Sequence, residues 1–90
     1  MSITVNIPTI LRPLTGNQKR VEVAGASVLE AIEQMEQQYA GIKTKLLSDG
    51  QVHRFINIYV NDDDIRFSSG LATPLLDGDS LTILPSVAGG

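Results

Sequence analysis

The sequence predicts an α+β domain in which one main helix packs across a mixed sheet. Three observations lead there. Ile3, Val5 and Ile7 alternate with Ser2, Thr4 and Asn6, and Val21 and Val23 alternate with Arg20 and Glu22, the period-two pattern of two half-buried strands. Ser27 and Glu30 then stand at capping-box spacing ahead of an apolar stripe. Two further alternating stretches, Phe55 to Val60 and Ser80 to Leu84, follow the helix. A hairpin, a crossover helix and later strands on one sheet give the order ββ-α-ββ-β.

Each element has a local reason. Pro13 and the Thr15-Gly16-Asn17 cluster predict the turn between the first two strands. In the helix, Val28, Ala31, Ile32 and Met35 make the inward stripe, and Glu33, Glu36 and Gln37 are expected to face water. Gly41 is placed to end that helix in a left-handed turn. Residues 42–47 read as one more helical turn, and Ser48-Asp49-Gly50 as a loop. In the strongest strand, Ile56, Ile58 and Val60 share one face. Asn61-Asp62-Asp63-Asp64 is expected to turn the chain into a short edge strand, Ile65-Arg66-Phe67, followed by a loop through Pro74. Asp77-Gly78-Asp79 turns into the last strand, where Leu81 and Ile83 point inward and Leu84 outward.

Ninety residues make one domain, expected over residues 1–86 with a flexible tail over 87–90. A chain of this size buries about 60–65% of its unfolded surface, a core sufficient without staples. It contains no cysteine, which excludes disulfides and thiolate metal sites and suits a cytoplasmic protein. Seven basic residues, scattered along the chain, face ten acidic ones for a net charge of −3, which argues against nucleic acid or an anionic membrane as partner. No apolar run approaches a membrane span, and no basic start precedes an apolar segment.

The interior offers no active site. His53 is the only histidine and has no second histidine or cysteine to work with, so it reads as a surface residue at a strand start. Asp62-Asp63-Asp64 lacks the alternation, glycine and distant glutamate of a calcium loop. Gly70 and Gly78 do not form a phosphate-binding motif. No metal site is expected.

What remains is the carboxyl end. Val87-Ala88-Gly89-Gly90 directly follows a core strand, and a Gly-Gly pair arises by chance at about 0.5% of positions. A terminal carboxylate has a pKa of about 3.5 and is a poor electrophile until activated, for instance by adenylation. Glycine lacks a Cβ, so such a tail could enter a narrow channel. Residues 86–90 fully extended reach about 17 Å. Leu84 and Pro85, with Val87, are the expected partner-docking surface, since a partner has to hold the body in order to aim the tail.

The last fifteen residues, Leu76-Asp77-Gly78-Asp79-Ser80-Leu81-Thr82-Ile83-Leu84-Pro85-Ser86-Val87-Ala88-Gly89-Gly90, match the ending DGDxVxxxPxVAGG, with Leu81 at the usual valine position. In this the chain resembles the ThiS/MoaD sulfur carriers, ubiquitin-like β-grasp proteins. Within that family it looks most similar to the carriers of cysteine biosynthesis, through residues 7–13 and 53–62, Arg66-Phe67 and residues 70–73. The resemblance implies a protein cosubstrate rather than an enzyme. An E1-like adenylating enzyme with sulfurtransferase function would activate the Gly90 carboxylate with ATP and magnesium, and a sulfur donor would convert it to a thiocarboxylate. A PLP-dependent cysteine synthase would supply an aminoacrylate acceptor, and a metal-dependent peptidase would release the new cysteine. ATP, magnesium, PLP and zinc would belong to these partners, with no cofactor bound by the chain itself. The alternatives are a MoaD-like small subunit of molybdopterin synthase, a ubiquitin-like protein modifier, and a plain interaction domain with an inert tail.

Overall fold

The computed structural model describes residues 2–86. The tail expected over 87–90, with Val87, Ala88, Gly89 and Gly90, lies outside them. Five strands form the main sheet: β1 (Ser2–Asn6), β2 (Arg20–Ala24), β5 (Ile56–Val60), β6 (Asp63–Asp64) and β7 (Ser80–Pro85), in the spatial order β2-β1-β7-β5-β6. β1 pairs antiparallel with β2 and parallel with β7, and β5 pairs antiparallel with β7 and β6, so the sheet is mixed as expected. Helix α1 (Val28–Gln38) joins the first hairpin to the second half of the sheet, and a short helix α2 (Ile42–Leu46) follows it. A small hairpin of β3 (Leu47–Ser48) and β4 (Gln51–Val52) stands apart.

The alternations set the layers. Ile3, Val5, Val21, Val23, Ile56, Ile58, Leu81 and Ile83 are buried on the inner face of the sheet, against the α1 stripe of Val28, Ala31, Ile32 and Met35, each with no exposed surface. Burying one such aliphatic side chain is worth about 1.5–3 kcal/mol. The capping box is present with a one-residue variation. Ser27 Oγ accepts the Glu30 N–H at 3.2 Å, and the Glu30 carboxylate reaches back to the Ala26 N–H at 3.1 Å. Gly25 is required between β2 and α1: a Cβ there would lie 2.8 Å from the Ala31 nitrogen, so the helix backbone can approach only a glycine.

Four expectations are corrected. The segment before β2 is a 3-10 helix, Thr9–Thr15, with Pro13 inside it, and Gly16 and Asn17 close it in left-handed conformation. Gly41 does not end α1, which stops at Gln38; it stands in left-handed conformation at the start of α2. Glu36 turns back rather than out to water, and its carboxylate accepts the N–H groups of Gly41 and Lys43, satisfying donors at the start of α2. Ile65–Phe67 is a 3-10 turn, not an edge strand. The edge strand is Asp63–Asp64, because the Asp64 carboxylate accepts the Arg66 N–H at 2.8 Å and pairs with its guanidinium at 2.7 Å, coiling the chain.

Candidate functional site

The strand that leads to the tail is paired on both edges over its first half. β7 is central, with β1 on one side and β5 on the other. Its ladder to β5 runs from Asn61 N–H donating to Ser80 O at 2.7 Å to Ser86 N–H donating to Phe55 O at 2.7 Å. Pro85 is accommodated because it sits opposite Ile56, between the hydrogen-bonded partners Asn57–Leu84 and Phe55–Ser86, so its missing N–H is not needed by β5. The chain is thus held by β5 through residue 86.

Leu84 stands where the alternation places it. It pairs with Asn57, points away from Leu81 and Ile83, and is 45% exposed. With Pro85 it lines a shallow groove of about 510 Å³ between the end of β7 and the segment after β1. Ile10, Arg12, Lys19 and Arg20 line the same groove, and no carboxylate among the described residues does. Arg12 Nε donates to the Ile7 carbonyl at 3.2 Å, which holds its guanidinium along the groove wall. Phe55, 51% exposed, lies across the strand from the exit, with the Arg54 guanidinium 5.0 Å from its ring centroid. Sequence reasoning singled out Leu84 and Pro85 but missed these basic residues, which are far apart in the chain and meet only through the fold.

The remaining candidates show no catalytic arrangement among the described residues. His53 Nδ1 accepts the Phe55 N–H at 3.2 Å and its ring lies 5.3 Å from that of Phe55, tilted by 34°, so it shapes the turn into β5. A second groove, of about 550 Å³, runs past His53, Arg54, Asp64 and Arg66. There the Arg66 side chain, hydrogen-bonded to Asp64, holds that carboxyl below the usual aspartate range, and Asp64 raises Arg66 in turn. The two satisfy each other and leave no poised acid or base. Asp62 is an exposed turn residue. Among the described residues no group of three or more His, Asp or Glu side chains is placed to hold a metal ion, and no helix is long and apolar enough to cross a membrane.

Comparison with known proteins gives this geometry a context. The ThiS family matches residues 5–90. The sulfur carrier protein CysO of Mycobacterium tuberculosis (strain ATCC 25618 / H37Rv) is 57% identical over 93 residues, covering 100% of both chains. In the crystal structure of the Amycolatopsis orientalis BexX/CysO complex, a chain 59% identical superposes with a TM-score of 0.93 over 98% of this chain and 99% of that one. Small archaeal modifier protein 3 of Haloferax volcanii is 35% identical over 65 residues, 72% of this chain and 71% of the relative. The helix packed across a mixed sheet is the ubiquitin-like β-grasp. The chain belongs to the ThiS family and is a full-length homologue of the CysO sulfur carriers.

Proposed function

We propose that this chain carries sulfur as a thiocarboxylate on Gly90 and delivers it for the synthesis of cysteine. The observation that carries the reading is the full-length identity to CysO, with a family match running through Gly90 itself. The mounting of the tail supports it, since β7 is paired with β1 through Thr82 and with β5 as far as Ser86. In the first step a Gly90 carboxylate oxygen attacks the α-phosphorus of ATP and pyrophosphate leaves. Hydrosulfide then attacks the acyl carbon and AMP leaves, with loss of one proton. The product is a soft anionic nucleophile, and carrying it on a protein that docks beside the acceptor makes its delivery nearly intramolecular. The chain contributes the carboxylate and the aim; an E1-like adenylating enzyme, a PLP-dependent synthase and a metal-dependent peptidase contribute the catalysis. The chain acts as a protein carrier and not as an enzyme.

Intact-mass measurement after incubation with an E1-like adenylating enzyme, ATP, magnesium and sulfide tests this. The expected result is the exchange of one oxygen for sulfur in the wild type and none in a variant lacking Gly89 and Gly90. The same gain in the truncated variant would overturn the assignment. A second reading, conjugation to other proteins, draws on the 35% identity to the archaeal modifier. It predicts isopeptide-linked adducts in a cell lysate, which the carrier reading does not.

A further inference from the structure

The register of the sheet sorts charge by end. β1 and β7 run toward the end where the tail emerges, and β2 and β5 start from it. That end gathers Arg12, Lys19, Arg20 and Arg54. The opposite end carries the turns with Asp62, Asp63, Asp77 and Asp79. Two of these acids are already engaged: Asp77 accepts the Ser2 N–H at 2.7 Å, and Asp79 accepts the Leu76 N–H at 2.8 Å and the Asn61 side-chain amide at 3.2 Å. The bases are not neutralised. The ion pairs among the described residues are Lys43–Glu33 and Arg66–Asp64, so Arg12, Lys19, Arg20 and Arg54 form none. A chain of net charge −3 thus presents a positive end around the strand that releases its tail.

We propose that this basic rim docks against an acidic collar around the tail-accepting channel of a partner enzyme. The proposal rests on the reading that Gly90 enters such an enzyme. Charge complementarity decides the occupant. Unpaired cations interleaved with exposed Ile10, Phe55 and Leu84 suit a protein surface that is acidic at its edge and apolar within. A long polyanion such as RNA would meet the negative charge of the rest of the chain, whereas a collar meets only this end. The rim raises the rate of encounter and orients the carrier, so that a tail of about 17 Å reach finds the channel.

Stopped-flow association with the E1-like adenylating enzyme, over about 0.05 to 0.5 M salt, tests the rim. An Arg12→Gln/Lys19→Gln/Arg20→Gln variant is expected to associate about tenfold more slowly at low salt and to converge with the wild type at high salt. A Lys43→Gln/Lys45→Gln control on the helical side should stay within about twofold of the wild type. Equal rates for the triple variant and the wild type, or an equal fall in the control, would overturn the proposal. So would loss of binding to a single-stranded RNA in the triple variant with enzyme association unchanged, which would assign the rim to nucleic acid. If the triple variant fails its thermal melt, the exposed single changes Lys19→Gln and Arg54→Gln carry the same comparison. The loading assay separates the two readings. A wild type that takes up no sulfur sinks the carrier, whereas normal loading with a triple variant that associates at wild-type rate sinks only the rim.

Discussion

The inner and outer faces of the five-stranded sheet come from the same strands, and they are built to different ends. On the inner face Val5, Ile58, Leu81 and Ile83 are at most 1% exposed and meet the apolar stripe of α1. On the outer face their neighbours in sequence, Asn6, Thr82, Asn57 and Leu84, are partly or well exposed, tied by little more than Asn6 Nδ2 donating to Thr82 Oγ1 at 3.0 Å. The period of two thus lets one strand hold the fold with alternate residues and present a surface with those between them. Because the tail leaves from β7, a partner can grip the outer face and the tail end without disturbing the core.

The sharpest way to break this contrast is to truncate neighbouring residues of β5. Ile58→Ala is expected to cost about 2–5 kcal/mol in urea melts, because nothing in the packed interior can refill the space. Asn57→Ala, on the opposite face, should stay within about 0.5 kcal/mol. Equal losses would mean that the outer face contributes to the fold as much as the inner one.

The junction between the layers gives a smaller effect. Gly25→Ala places a methyl 2.8 Å from the Ala31 nitrogen, which is helix backbone and cannot swing aside. The expected cost is about 1–3 kcal/mol, as for overpacking a core. An unchanged melt would show that α1 can slide over the sheet, and the two-layer contrast would lose its rigid reference.

These residues also show what a sequence can reveal. The strands and α1 were legible because their signals are local: a two-residue alternation, a 3.6-residue stripe, and a serine and a glutamate three apart. The 3-10 helix Thr9–Thr15 was not, since its closure depends on left-handed Gly16 and Asn17, and the Asn17 N–H donates to Arg12 O. Ile65-Arg66-Phe67 carried a strand-like pattern, but the Asp64 side chain competed for the backbone and coiled it. In the site, Leu84 and Pro85 were legible from their place on the last strand. The rim was hidden because Arg12, Lys19, Arg20 and Arg54 read as scattered charge until the strand register sets them at one end. The close approach at Gly25 was hidden for the same reason, that it depends on a distance between two elements.

A still smaller effect separates polar support from apolar support. Glu36 accepts the N–H groups of Gly41 and Lys43, and these bonds hold its carboxyl below the usual glutamate range. A carboxyl depressed on folding stabilises fully above its unfolded pKa and loses that contribution as pH falls through the folded value. The stability advantage of the wild type over Glu36→Gln should therefore be present at neutral pH and shrink from about pH 4 downward. Urea melts of both proteins across that range provide the check, and a constant difference would show that the charge on Glu36 contributes nothing.

The smallest expected effect on stability is at Leu84, and there the contrast between faces becomes a statement about docking. Leu84 is 45% exposed, and its backbone pairing with Asn57 does not depend on its side chain. Leu84→Asp should therefore cost less than about 1 kcal/mol, the span of strand propensities. Affinity for the adenylating enzyme, measured by calorimetric titration, should nonetheless fall about tenfold or more, as for an apolar anchor near the centre of an interface. An aspartate there would also oppose the charge of Arg12, Lys19 and Arg20 along the groove, so a second substitution is needed to separate the two causes. Leu84→Lys removes the same apolar contact while keeping the groove positive. If Leu84 is an anchor, both variants lose affinity. If only the charge of the groove matters, Leu84→Lys binds as well as the wild type, and the outer face serves as a platform for the rim rather than as a contact in its own right.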